Sequence, residues 1–193
     1  DYDVWRQLGN TGWGWDDVLP YFIKAENQER GKNEFHGTGG PLSVSDQRIQ
    51  LPLLNEFQNA AEEFGIPKTK DFNTGDNNGC GYFQVTEKDG FRCSTAVGYL
   101  NPIKKRGNWK IITNAHVKKI NFQNKIAKEV EYWQDNEVKK LVVNREIILS
   151  SGSIGSPQIL QTSGIGNANK LNNLGIEVVQ ELKGVGENLQ DHL

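Results

Sequence analysis

A glycine turn near the end of this 193-residue sequence carries its clearest chemical signal. The apolar centre of residues 145–150 predicts a buried strand, Ser151 and Gly152 follow it, and a helix is predicted from Pro157. In doubly wound folds a strand end, a glycine turn and a helix N-terminus form the place where ligands bind, because the first helical amides are free. Ser151 and Gly152 are therefore candidate binding residues; a plain turn glycine is the alternative.

The histidines and cysteines do not form a recognisable catalytic or metal-binding pattern. Cys80 and Cys93 lack the spacing of a zinc site or a disulfide framework, so both are expected to be reduced, which favours the cytoplasm. His36 is predicted to be a loop residue that bonds the backbone, and His116 to face solvent on a strand. We therefore predict no catalytic residue and no metal site in this sequence.

Composition excludes two classes of partner. The net charge is -2 and the charges of both signs are interspersed, so nothing indicates binding to nucleic acid. No apolar run reaches the roughly 18 residues of a membrane span.

The sequence lacks methionine and opens without a leader, so we expect it to be a piece of a longer protein whose N- and C-terminal parts lie elsewhere. Peripheral membrane association of that protein stays open.

Periodicity supplies the elements that must position the turn. Before Trp109, helical spacing of apolar residues and turn signals alternate with short extended runs. After it, a period of two predicts a meander that feeds the buried strand. The predicted helices are 15–25, 52–65 and 94–100 (ending at Pro102), and the predicted strands are 42–44, 83–86, 110–122, 129–133, 138–143 and 145–150.

Several phrases, in order and spacing, resemble the glucose-methanol-choline (GMC) oxidoreductases, and within them the choline dehydrogenase-like branch. The segment GSIGSPQILQTSGIG (152–166) looks like the second signature of that family, and GVGENLQDH (184–192) is similar to its G-V-G-x-N-L-Q-D-H phrase. The other matching segments are DYDVW (1–5) with GW (12–13) and VLPYF (18–22), FHG (35–37) with GPL (40–42), and RCSTA (92–96) with YL (99–100).

The resemblance implies a fold of class α+β or α/β that forms part of a two-lobed flavoprotein. Residues 1–108 would supply mostly segments of the antiparallel-sheet substrate lobe and its lid. Residues 109–193 would supply the rear of a Rossmann-type FAD lobe: β-meander, core strand, helix and glycine-rich loop. The implied cofactor is FAD and the implied partner is a choline-like or other small alcohol, oxidised by hydride transfer to the flavin.

The same resemblance assigns roles to four residues. Val117 aligns with a valine whose backbone bonds the adenine, although an ordinary strand valine would look the same. Ser151 and Gly152 would lie along the ribose or diphosphate. His192 would lie near the flavin, although a lone histidine is more often a structural hydrogen-bonding residue.

Two expected parts of such an enzyme are absent: no strand is followed by G-x-G-x-x-G, and the resemblance places the family's catalytic pair, a histidine with a second histidine or asparagine, after the end of this sequence. The isolated segment is therefore predicted to be inactive. The rival hypothesis is a non-catalytic structural or interaction module derived from the family. A serine hydrolase is disfavoured, because no G-x-S-x-G motif occurs.

Overall fold

The computed structural model describes residues 1–191. Their contacts divide the chain into two compact units, with the boundary between Trp109 and Lys110. That boundary lies next to the predicted one at 108/109, and the roles assigned to the two parts stay predictions. Within the described residues no helix combines the length and the apolar character needed to cross a membrane.

The first unit consists of short helices and two small sheets. Its helices are α1 (Tyr2–Gln7), α2 (Trp15–Ala25), α3 (Pro52–Glu63) and α4 (Asn101–Ile103), the last preceded by a π-helical turn at Ala96–Leu100. Its strands are β1 (Glu26–Gln28), β2 (Leu42–Val44), β3 (Glu87–Lys88) and β4 (Phe91–Arg92).

Helix α2 spans the predicted residues, and two carboxylates fix its start. Asp17 Oδ2 accepts a hydrogen bond from Gly14 N at 3.0 Å, and Asp3 Oδ1 accepts one from Trp15 N at 3.1 Å. These bonds satisfy amides that the helix itself leaves free. The prediction of this helix is confirmed.

Strands β1 and β2 pair in parallel, with Glu26 opposite Leu42, which confirms the predicted strand at 42–44. The loop between them contacts the end of α2 so closely that only glycine fits at position 37. A Cβ on Gly37 would lie 1.8 Å from the carbonyl oxygen of Ile23. This contact brings the neighbouring His36 against β1.

Helix α3 confirms the predicted amphipathic helix, but its apolar stripe is not buried. Leu53, Phe57 and Phe64 are 77%, 67% and 85% exposed. Gly65 follows at φ +96°, a conformation that stops the helix at low cost only for glycine. None of residues 1–109 covers the stripe.

Two predictions in the first unit are corrected. The predicted strand at 83–86 is wrong, because only an isolated bridge between Ser45 and Val85 forms there. A short antiparallel hairpin of β3 and β4 follows it in the sequence. The helix predicted to end at Pro102 continues through it, because Pro102 lies in the first turn of α4, where a missing N–H is tolerated.

The second unit contains the predicted meander. Strands β5 (His116–Gln123), β6 (Ile126–Gln134) and β7 (Glu137–Val142) pair antiparallel in that order. Both connections are two-residue turns with positive φ at each central residue, as the favoured hairpin turns require. Those central residues are Asn124 and Lys125, then Asp135 and Asn136.

The predicted core strand at 145–150 is wrong. Residues 145–150 form no strand, and Ile148 is 81% exposed. A strand needs a neighbour to pair its backbone groups, and no described residue pairs with this segment. The apolar run predicted a buried strand, but residues 1–191 do not supply the partner that such a strand needs.

Helix α5 (Gly152–Thr162) follows, then β8 (Ile165–Gly166), α6 (Ala168–Asn173) and β9 (Gln180–Glu181), with β8 and β9 parallel. The buried apolar side chains of this unit are few, and they lie on the meander and the two helices. They are Ile120, Tyr132, Ile159 and Leu171. The mixed α/β class predicted from the sequence is confirmed.

Candidate functional site

A cavity of about 450 Å³ lies between β5 and α5. Val117 and Ser151, two of the predicted cofactor-binding residues, both line it. The walls also include Trp133, Gly155, Gln158 and Ile159.

Two hydroxyl groups fix α5 against the outer edge of β5. Ser163 Oγ accepts a hydrogen bond from Ile120 N at 2.8 Å, and Thr162 Oγ1 donates one to Lys118 O at 3.0 Å. An edge strand otherwise leaves such groups unpaired. The bonds therefore both satisfy the edge and set the width of the cavity.

The start of α5 is suited to an anion. Ser151 makes no capping hydrogen bond and the first turn contains no acidic residue, so the free amides keep their positive character. Gly152 has φ +80°, and a Cβ there would meet no atom within 4 Å. The positive φ, and not a lack of space for a side chain, therefore favours glycine at position 152. A diphosphate fits this donor set.

The other side of α5 contacts the GVGENLQDH segment that begins at residue 184. Gln161 Nε2 donates a hydrogen bond to Val185 O at 3.0 Å, and Lys170 pairs with Glu187. A Cβ on Gly186 would lie 2.6 Å from Gln161 Nε2, so the approach is close. A second cavity of about 620 Å³ lies between α5 and residues 184–189.

The structure describes three of the four residues that were predicted to bind the cofactor. Val117 and Ser151 share one cavity, and Gly152 is next to Ser151 at the helix start. His192 lies outside the described residues. All four cofactor contacts stay predictions.

A charge pair on the meander lies beside the cavity. Lys118 Nζ lies 2.8 Å from Glu131 Oε1 and 5.8 Å from the centre of the Trp133 ring. The hydrogen bond from Lys118 is the main cause that lowers the pKa of Glu131, against the opposing effect of burial. Glu131 is therefore an ionised partner that holds Lys118 beside the cavity.

The first unit contains a buried histidine between two carboxylates, a cluster that the sequence analysis did not predict. His36 is only 4% exposed; its Nδ1 lies 2.9 Å from Glu26 Oε2, and its Nε2 lies 3.0 Å from Asp71 Oδ2. The contact to Glu26 has hydrogen-bond geometry and the contact to Asp71 does not. His36 N also donates to Asn33 Oδ1 at 2.9 Å, so the predicted backbone role describes only part of its contacts. No local pattern joins positions 26, 36 and 71.

Among the described residues no group of three or more histidine, cysteine or acidic side chains could hold a metal ion. His116 is exposed on β5, as predicted.

The chain resembles known proteins along its whole length. It is 44% identical over 193 residues to choline dehydrogenase, mitochondrial, from Mus musculus, covering all of this chain and 32% of that protein. It is 41% identical over 196 residues to alcohol dehydrogenase [acceptor] from Pseudomonas putida, covering all of this chain and 36% of that protein. The chain thus spans about a third of the length of the curated relatives it matches.

The fold agrees with these similarities. The structure of an FAD-dependent oxidoreductase from Chaetomium thermophilum, in complex with a fragment molecule, superposes with a TM-score of 0.91 at 34% identity. The match covers 98% of this chain and 35% of that one. The family model described as GMC oxidoreductase matches residues 1–193. The resemblance predicted from the sequence is confirmed, and the chain belongs to the GMC oxidoreductase family.

Proposed function

We propose that the protein containing this chain oxidises the CH–OH group of a small alcohol with FAD. The observation that carries the proposal is the placement of α5. One side of it forms a cavity with Val117 and Ser151, and the other contacts residues 184–189. Two segments far apart in the sequence thus contact a single helix whose free N-terminal amides suit a diphosphate.

FAD as the cofactor is supported by the family and by the superposed FAD-dependent oxidoreductase. When bound, the flavin supplies the acceptor for the hydride of the alcohol. This chain's part is to bind and orient: the amides at the start of α5 would hold the diphosphate, and the backbone at Val117 would hold the adenine. His192 is proposed to lie beside the flavin.

The substrate class is proposed from the relatives. Two of them are named choline dehydrogenase and alcohol dehydrogenase [acceptor], which supports a choline-like or another small alcohol. Residues 1–108 would contribute to the substrate lobe and 109–193 to the FAD lobe. The segment alone is proposed to be inactive, because its sequence lacks the G-x-G-x-x-G cradle and the catalytic pair.

A cytoplasmic location is part of the same proposal. Cys80 and Cys93 are both free thiols, and Cys93 is buried. Free cysteines are typical of proteins kept in a reducing compartment.

The experiment is spectroscopic and uses the full-length protein. Purified protein should show flavin absorbance, and mixing it anaerobically with choline or with a panel of small primary alcohols should bleach that absorbance. The FAD-stripped protein should recover both properties when FAD is added. A folded full-length protein that neither carries nor rebinds FAD would contradict the proposal, and flavin that no alcohol reduces would contradict the substrate class.

A further inference from the structure

One aromatic ring forms part of the wall of the β5–α5 cavity. Trp133 lies on β6, opposite His116 in the register, and both residues line the cavity. The residue is 44% exposed, although an indole ring is among the largest apolar surfaces a strand can bury. An open aromatic face therefore borders the cavity.

The indole is held in place from its own sheet. Lys118 Nζ lies 5.8 Å from the ring centre, where the ammonium group attracts the π-electrons. Glu131, two residues before Trp133 on the same face of β6, fixes that ammonium at 2.8 Å. Lys118, itself fixed by Glu131, thus restricts the ring before any ligand binds, which lowers the entropy cost of stacking on it.

The other walls complement a flat heteroaromatic base. Ile159 supplies an apolar part of the wall, and the side chain of Gln158, which also lines the cavity, makes no hydrogen bond within residues 1–191. A primary amide offers both donors and an acceptor, so it can bond the edge of a base whose face lies on the ring. The volume of about 450 Å³ is in the usual range for small-molecule sites.

We propose that Trp133 is a specificity-determining residue that stacks on the adenine of the dinucleotide, with Lys118 and Glu131 as positioning residues for its ring. The inference rests on the proposed function and goes further, because it assigns the selection for a purine nucleotide to one side chain. It also gives the Lys118–Glu131 pair a role beyond surface charge balance.

The test uses full-length protein stripped of FAD. Loss of base stacking on an aromatic residue weakens binding about five- to 150-fold. Trp133→Val should therefore raise the Kd for FAD by that factor, and Trp133→Phe, which keeps a ring, by less. Tyr132→Phe is the matched control, since Tyr132 is the buried neighbour on the opposite face of the strand; its Kd should match the wild type.

A second measurement separates stacking from a structural role. ADP carries the adenine without a flavin, so its titration into the stripped protein should quench tryptophan emission in the wild type and in Tyr132→Phe. The quenching should disappear in Trp133→Phe. Quenching that persists in Trp133→Phe, or no quenching in the wild type, would overturn the inference even if Trp133→Val binds FAD poorly.

The two proposals fail in different ways. Wild-type protein that does not rebind FAD defeats the proposed function, and the inference with it. Wild-type protein that binds FAD while Trp133→Val binds it equally well defeats only the role of Trp133.

Discussion

Replacing His36 with leucine should destabilise the first unit by about 3 kcal/mol. The imidazole is buried between two carboxylates, with Nδ1 2.9 Å from Glu26 and Nε2 3.0 Å from Asp71. Leucine fills a similar volume but offers neither nitrogen. Two acidic groups would then face an apolar side chain in a confined space.

The expected loss of stability depends on the hydrogen bonds that each carboxylate keeps in the variant. Removing the partner of a buried carboxylate, so that its charge is left without that partner, costs about 3 to 5 kcal/mol. Glu26 still accepts from Gly37 N at 3.0 Å, and Asp71 still accepts from Asn73 N at 2.9 Å. Both acidic side chains are also 17% exposed, so water can solvate them partly. The low end of the range is therefore expected.

The assay is hydrogen–deuterium exchange of the full-length protein, followed in peptides that cover residues 26–37 and 70–76. A loss of about 3 kcal/mol corresponds to exchange faster by about 150-fold, if these amides exchange through the opening that the cluster opposes. His116→Leu is the matched control, because it makes the same chemical change at an exposed position. Its effect should stay within about 0.5 kcal/mol.

A rescue variant tests the electrostatic part of the reasoning. Adding Glu26→Gln to His36→Leu removes one unpaired charge, so exchange should slow towards the wild-type rate. If His36→Leu exchanges no faster than His116→Leu, the cluster does not stabilise the unit and the reasoning is wrong.

Three further perturbations probe the second unit. Ser163→Ala leaves the buried Ile120 N–H without its acceptor, so chemical unfolding should show a loss of about 1 to 3 kcal/mol, whereas the exposed Ser153→Ala should be neutral. Gly152→Val should weaken FAD binding more than Gly152→Asn, measured by flavin titration, because φ +80° costs a branched residue about 1 to 2 kcal/mol and asparagine tolerates it. The lowered pKa of Glu131 stabilises the fold above the unfolded pKa of about 4.3, and this contribution is lost as the pH falls through the folded pKa. Thermal unfolding should therefore show Glu131→Gln less stable than wild type at neutral pH, with a difference that shrinks in acid.

Elements with local causes were predictable from the sequence. Helix α2 has the capping carboxylate of Asp17 in its first turn, and the meander has two-residue turns that accept positive φ. These signals lie within a few residues of the elements that they determine. The apolar pattern of α3 likewise predicted a helix, although not that its stripe would stay exposed.

The failures concern elements that need a distant partner. Residues 145–150 have the composition of a buried strand, but pairing requires a neighbouring backbone that residues 1–191 do not provide. The contacts of His36 depend on Glu26 and Asp71, which reach it only after the loop at Gly37 packs on α2. Spacing in the sequence gives no sign of either contact.

The candidate site could be predicted only in part from the sequence. Family resemblance, and not periodicity, suggested Val117, and the local glycine turn suggested Ser151; neither indicated that one cavity would join them. The joining contacts come from Thr162 and Ser163, at the end of α5, which bond the edge of β5. Because those bonds lie within the second unit, the cavity forms even though residues 145–150 are unpaired. We infer that the meander and α5 form the proposed adenine-binding surface by themselves, so variants of Ser163 should disturb FAD binding more than variants in the unpaired segment.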